Sequence, residues 1–174
     1  RRVRTVCVRD GGVVVPTELA PAYLVWDSLG DDVIRSEGDW GWPYQIVAVE
    51  FATVAERYAR LTPPQTEEPD EAVQRGFEAF RRYCTRCHAV NGQGGTVGPE
   101  LNTPASVTEY LKPEWLVRWI GDPQSVRHRT PMPGLPPGVP RRDETIADLV
   151  AYLTAMADRK LEPEAEPESE AEAD

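Results

Sequence analysis

Cysteine is scarce in this chain: 174 residues contain 3, at Cys7, Cys84 and Cys87. That scarcity excludes the small secreted scaffold stapled by several disulfides. Histidine is scarcer still, with 2 residues, His88 and His128. Long hydrophobic runs are missing, and nothing approaches the ~20 apolar residues of a membrane-spanning helix. Basic charge is outnumbered, 19 Lys and Arg against 29 Asp and Glu, with no basic stripe, so a nucleic-acid-binding surface is not expected. An N-terminal export signal is also missing.

What is present is proline, 17 residues of it, in a chain of 40% hydrophobic composition and mean hydropathy −0.48. That is enough apolar material for one ordinary domain or two small ones. The net charge of −10 is unevenly placed. Residues 1–68 carry 7 basic and 11 acidic groups, residues 69–160 carry 12 and 11, and residues 161–174 carry none and 7. The acidity is largely a property of the C-terminal end. There Glu alternates with Pro, Ala and Ser, and too little apolar surface exists to offset ordering entropy, so a disordered tail is expected over 161–174.

Residues 1–62 read as a small β-rich (α+β) domain. Residues 2–9 alternate in part, Gly11-Gly12 turns, residues 13–16 resume an extended run, and residues 44–51 form a second strand-like stretch. Residues 52–61 have helical composition. Pro63-Pro64 and a polar run mark a linker over 63–69. Residues 70–160 read as helical. Asp70 can cap a helix whose Val73, Gly76, Phe77 and Phe80 share a face. A short helix is expected around 105–111. Pro113 opens another, with Trp115, Leu116, Trp119 and Ile120 on one face and Gly121-Asp122-Pro123 ending it. The last helix starts near Asp143 and presents Ile146, Leu149, Val150, Leu153 and Met156.

The first helix leads into Cys84-Thr85-Arg86-Cys87-His88. Two thiols three residues apart suit addition to the two vinyl groups of one haem, and the adjacent His88 can then donate an imidazole nitrogen to the iron. A structural zinc site needs two more ligands, and only Cys7 and His128 remain. Cys7 lies in a strand-like context and reads as a buried thiol, because free cysteine packs as a small hydrophobe. Attachment of this kind takes place outside the cytoplasm. The chain is therefore expected to be periplasmic or otherwise exported, with an export signal or an N-terminal membrane anchor upstream of Arg1.

The iron needs a sixth ligand or an open face. Met132 stands in Thr130-Pro131-Met132-Pro133, where prolines fix the backbone around a soft thioether, so it is the first candidate. Met156 falls on the apolar stripe of the last helix and reads as core. His128, between Arg127 and Arg129, reads as a solvated residue. The second ring nitrogen of an iron-bound histidine usually donates to a carbonyl, and Pro99 in Gly98-Pro99-Glu100-Leu101 is a rigid provider.

The run Cys84-x-x-Cys87-His88, Gly98-Pro99-x-Leu101, Trp115-Leu116 with Asp122-Pro123, Met132-Pro133 and a C-terminal helix resembles the class I monohaem c-type cytochromes over residues 70–160. The resemblance implies an all-α fold around one covalent haem c, with His88 and Met132 as axial ligands and the Pro99 carbonyl as acceptor for His88. It also implies crossing first and last helices, with Gly76 and Phe80 near Tyr152 or Leu153. Tyr110, Trp115, Trp119, Arg127 and Arg129 are candidates for the propionate side. The N-terminal segment, through Trp42-Pro43-Tyr44-Gln45-Ile46-Val47 and Glu50-Phe51, weakly resembles a truncated molybdopterin-binding domain of the sulfite-oxidase type. About 62 residues cannot enclose that cofactor, so the segment reads as a docking domain, with Trp40 and Trp42 as candidate contacts.

The function expected is one-electron transfer between a redox enzyme and a downstream acceptor, through transient docking with redox proteins, by an electron carrier rather than an enzyme. Two alternatives stand beside it: the haem subunit of a dehydrogenase complex, and a peroxidase or gas-binding haem protein if Met132 is labile.

Overall fold

A computed structural model of the chain describes residues 3–7, 22–26, 48 and 50–162. Two strands, β1 (Val3–Cys7) and β2 (Ala22–Trp26), pair antiparallel, with Val3 opposite Trp26 and Cys7 opposite Ala22. The strand expected over 2–9 is thus shortened to β1. Its partner comes from residues 22–26, where no strand is expected from the sequence. The turn at Gly11-Gly12, the run at 13–16, Trp40, Trp42 and residues 44–47 lie outside the described residues, as do 163–174. Ala48, Glu50 and Phe51 are not in a strand, and Phe51 is fully exposed.

Among the described residues from 53 to 162, six helices follow. The first, α1 (Val54–Arg57), is a single turn closed by a capping box. Thr53 Oγ1 accepts from the Glu56 amide at 3.2 Å and Glu56 Oε2 accepts from the Thr53 amide at 2.8 Å. The helical composition of 52–61 therefore yields only one turn. The rest of that stretch is an irregular segment pinned by side chains from elsewhere.

Helix α2 (Glu71–Tyr83) begins where an aspartate can cap it: Asp70 Oδ1 accepts from the Ala72 amide at 2.8 Å. Its apolar stripe buries Gly76, Phe77, Ala79 and Phe80. Helix α6 (Arg142–Ala157) buries Ile146, Leu149, Tyr152, Leu153 and Met156. The two cross with their backbones touching at Gly76. A Cβ there would stand 1.9 Å from the Asp148 carbonyl oxygen and 2.7 Å from Tyr152 Cβ, so only glycine permits the approach. Around this point the Phe77 and Phe80 rings lie 5.8 and 5.2 Å from the Tyr152 ring. Such aromatic pairs add about 0.5–1.5 kcal/mol beyond their buried area. At the rim Arg75 grips Asp148 with two bonds, Nε to Oδ2 at 2.7 Å and Nη2 to Oδ1 at 3.0 Å.

A two-residue hairpin follows α2: β3 (Ala89–Val90) pairs with β4 (Gln93–Gly94) across Asn91-Gly92. Both turn residues have positive φ, 54° and 76°, as a tight hairpin of this hand requires. Then come α3 (Val107–Tyr110), α4 (Pro113–Gly121) and α5 (Pro123–Val126). Proline opens α4 and α5 at the position where its missing N–H costs nothing.

The buried core joins Phe77, Phe80, Val90, Val107, Leu116, Leu149, Tyr152, Leu153 and Met156, and it also takes in Leu61. Leu61 is buried, and its carbonyl accepts from the Tyr152 hydroxyl at 2.7 Å. The segment upstream of the linker thus contributes a side chain to the core of the helical unit. No helix among the described residues is long and apolar enough to cross a membrane.

Candidate haem-binding site

The last turn of α2 delivers the two thiols and the imidazole together. The Cys84 amide closes the helix onto the Phe80 carbonyl at 2.8 Å. The chain then wraps back on itself, with the Cys87 and His88 amides both donating to the Cys84 carbonyl, at 3.0 and 2.9 Å. Cys84 and Cys87 carry free thiols, each on a part-buried residue. Burial, with the neighbouring Cys87 as a smaller cause, pushes the Cys84 thiol up to about 12 from its ordinary 9.0, so it stays neutral at physiological pH. Burial likewise raises the Tyr152 phenol, with Cys84 adding to the effect.

His88 is buried, and its ring is oriented by one bond: Nδ1 donates to the Pro99 carbonyl oxygen at 2.8 Å. That leaves Nε2 as the nitrogen that can face a metal. The ring rests against Gly98, where a Cβ would stand 2.4 Å from Cε1. The glycine-rich loop folds over the attachment turn through the Gly95 amide to the Thr85 carbonyl at 2.8 Å and the Gly98 amide to the Cys87 carbonyl at 2.7 Å. A Cβ at Gly94 or Gly95 would lie 2.2 Å from a carbonyl oxygen of His88 or Arg86.

Met132 sits part-buried in the proline-rich loop, and its Sδ accepts from the Trp119 indole N–H at 3.0 Å. This loop is anchored at both ends. Gln124 Nε2 donates to the Thr130 carbonyl at 2.5 Å, the Leu135 amide donates to the Ile120 carbonyl at 2.8 Å, and Arg142 donates to the Gly121 carbonyl at 2.6 Å and the Leu135 carbonyl at 3.0 Å. Gly134 lets the loop lie against α4, since a Cβ there would be 2.4 Å from the Gly121 oxygen.

The other sequence candidates divide. Trp119 is part-buried, and its indole N–H is the donor to the Met132 sulfur. Trp115 is exposed and stacks under Arg118, whose guanidinium carbon is 4.9 Å from the ring centroid. Tyr110, Arg127, His128 and Arg129 are exposed. Met156 is fully buried on α6, as core. Cys7 lies in β1, and only its backbone is described. Among the described residues no group of three or more His, Cys, Asp or Glu side chains is placed to hold a bare metal ion.

The donor set fits a covalently held haem. Two free thiols and a buried imidazole lie within one wrap of chain, the imidazole has its far nitrogen already committed, and a soft thioether is held by an indole. Two features went unread in the sequence. Glu100 accepts four backbone N–H groups, from Asn91 at 2.8 Å, Gly92 at 2.9 Å, Asn102 at 2.9 Å and Thr103 at 3.2 Å. Asn91 and Asn102, both fully buried, pair at 2.8 Å. The Asn-Gly dipeptide was the available signal for the hairpin; nothing local marks Glu100.

Comparison with known proteins places a match to the Cytochrome c family model at residues 73–157. The match supports a c-type cytochrome segment over this stretch, and it does not extend to residues 1–72. A similar protein is "Cytochrome c oxidase subunit 2" of Alkalihalophilus pseudofirmus, 33% identical over 99 residues, which cover 53% of this chain. The chain spans only 28% of that relative's length. No solved structure matches.

Proposed function

We propose that the chain carries one haem c, which Cys84 and Cys87 would bond and whose iron His88 and Met132 would hold, and that it transfers single electrons. The observation that carries this reading is the attachment turn itself, with His88 Nδ1 committed to the Pro99 carbonyl at 2.8 Å. When bound, the haem supplies reversible one-electron exchange between ferric and ferrous iron. The chain's own residues do the rest. Cys84 and Cys87 fix the group by thioether bonds. Pro99 sets the tautomer and orientation of the imidazole. Trp119 directs the Met132 sulfur. Both proposed ligands are neutral, and a methionine ligand raises the potential toward the ferrous side.

The partners proposed are other redox proteins. Similarity to a protein named as an oxidase subunit favours service within, or next to, a larger respiratory complex over catalysis by this chain alone. The location proposed is outside the cytoplasm, where covalent attachment occurs. The N-terminal segment is proposed as the part that gives the haem unit a dedicated partner.

The test is expression of the full chain with export and haem-attachment machinery. One haem per chain, retained through extraction with acidic organic solvent and cycled reversibly between ferric and ferrous forms, is the expected result. Colourless protein, or pigment surrendered to the solvent, overturns the proposal.

A further inference from the structure

The imidazole–Pro99 bond does not stand alone. Pro99 is followed by Glu100, whose carboxylate gathers the four backbone N–H groups of Asn91, Gly92, Asn102 and Thr103. These belong to two strands of loop, the hairpin tip just after His88 and the turn just after Pro99. The carboxylate therefore clamps the two sides of the His88 loop together. Asn91 is the common member. Its amide donates to Glu100, and its side chain donates to the carbonyls of Arg60 at 3.1 Å and Arg159 at 2.9 Å. Its carbonyl accepts from Arg60 Nε at 2.6 Å.

Arg60 lies upstream of the family-matched segment and belongs to the irregular stretch after α1. That stretch is bound along its length. The Arg60 amide donates to Gln93 Oε1 at 3.0 Å, and Gln93 Nε2 donates to the Arg57 carbonyl at 2.8 Å. Arg159 donates to the carbonyls of Ala59 at 3.2 Å and Thr62 at 2.5 Å. Leu61 is buried in the core. A continuous set of short contacts thus runs from Arg60 through Asn91 and Glu100 to the carbonyl that receives His88.

We infer that Arg60 and Glu100 are positioning residues for His88, and that residues 57–62 are a strap that holds the His88 loop in place. This inference rests on the proposed ligation by His88. A carbonyl held rigidly in line with Nδ1–H makes the imidazole a stronger donor to ferric iron. Loosening the clamp weakens that bond and favours the ferrous form.

The experiment uses the full haem-loaded chain and four variants, Arg60→Ala, Arg60→Lys, Glu100→Gln and Arg75→Ala. Two quantities are read: hydrogen exchange of the His88 Nδ1–H, followed by NMR of the reduced protein, and the midpoint potential. Arg60→Ala and Glu100→Gln are expected to speed the exchange at least tenfold and to raise the potential. Arg60→Lys keeps one donor for the Asn91 carbonyl and is expected to restore most of the protection. Arg75→Ala breaks the Arg75–Asp148 pair on the far rim of the helix crossing and is expected to lower stability while leaving both readings unchanged. Unaltered exchange and potential in Arg60→Ala and Glu100→Gln, or changes no larger than those of Arg75→Ala, overturn the inference.

If a variant does not take up haem, amide exchange at Gly92, Asn102 and Thr103 in the chain before attachment decides the same point. Arg60→Ala is then expected to expose Gly92, and unaltered protection refutes the clamp. Failure of the underlying ligation is seen separately, because wild-type protein would show no haem-shifted His88 Nδ1–H at all.

Discussion

Replacing Trp119 by phenylalanine removes one interaction from the Met132 sulfur and leaves an aromatic ring in its place. The indole N–H donates to Sδ at 3.0 Å in a part-buried setting. A donor on the thioether draws electron density away from the lone pairs offered to iron, and the ferric state suffers more from that loss than the ferrous. Under the proposed ligation by Met132, Trp119 would hold the potential up, and Trp119→Phe is expected to lower it. A hydrogen bond of this kind is worth about 0.5–1.5 kcal/mol net. If that energy is expressed mainly in one oxidation state, it converts at 59 mV per tenfold change to a drop of roughly 20–60 mV. The assay is a spectroelectrochemical titration of wild type and variant, with the Met–iron charge-transfer band of the ferric protein monitored in parallel. A potential unchanged within roughly 10 mV while that band persists would rule out this role for the indole. So would a rise.

Three further outcomes follow from the packing and the thiols. Gly76→Ala drives a Cβ to 1.9 Å from the Asp148 carbonyl and must part α2 from α6. Overpacking less the gain in helix propensity gives a loss of roughly 2 kcal/mol, seen as a fall in Tm of roughly 8–16 °C by calorimetry. Tyr152→Phe strands the Leu61 carbonyl that now accepts at 2.7 Å. A loss of about 1–3 kcal/mol is expected, as a lower urea midpoint at constant slope. Before haem attachment, the Cys84 thiol at about 12 in the folded chain lies above its ordinary 9.0. The neutral form is favoured by folding, so this contribution is full below pH 9 and is lost as pH rises toward 12. Urea melts across that window should show falling stability, less steeply in Cys84→Ala.

The helical unit was legible because its signals are local. Asp70 before an apolar stripe, Pro113 at a helix start and the spacing of Ile146, Leu149, Leu153 and Met156 each act within a turn or two of chain. The crossing at Gly76 was likewise available, through the resemblance. The attachment turn was written in five consecutive residues. What stayed hidden depends on contacts between distant segments. Leu61 reads as the end of an upstream helix, yet it enters the core because Tyr152, 91 residues later, donates to its carbonyl. Glu100 reads as an ordinary charged loop residue, because its four donors are brought to it only when the loop closes. Trp119 reads as one member of a helical face, and its bond to Met132 spans 13 residues and a proline-rich loop.

The most direct test of the central claim is the ferric absorption spectrum of the intact chain beside Met132→Ala and Met156→Leu. A low-spin ferric spectrum with the thioether–iron band is expected in wild type and Met156→Leu, with the band lost in Met132→Ala. A high-spin ferric spectrum in the wild type, or a band that survives Met132→Ala, would contradict the claim.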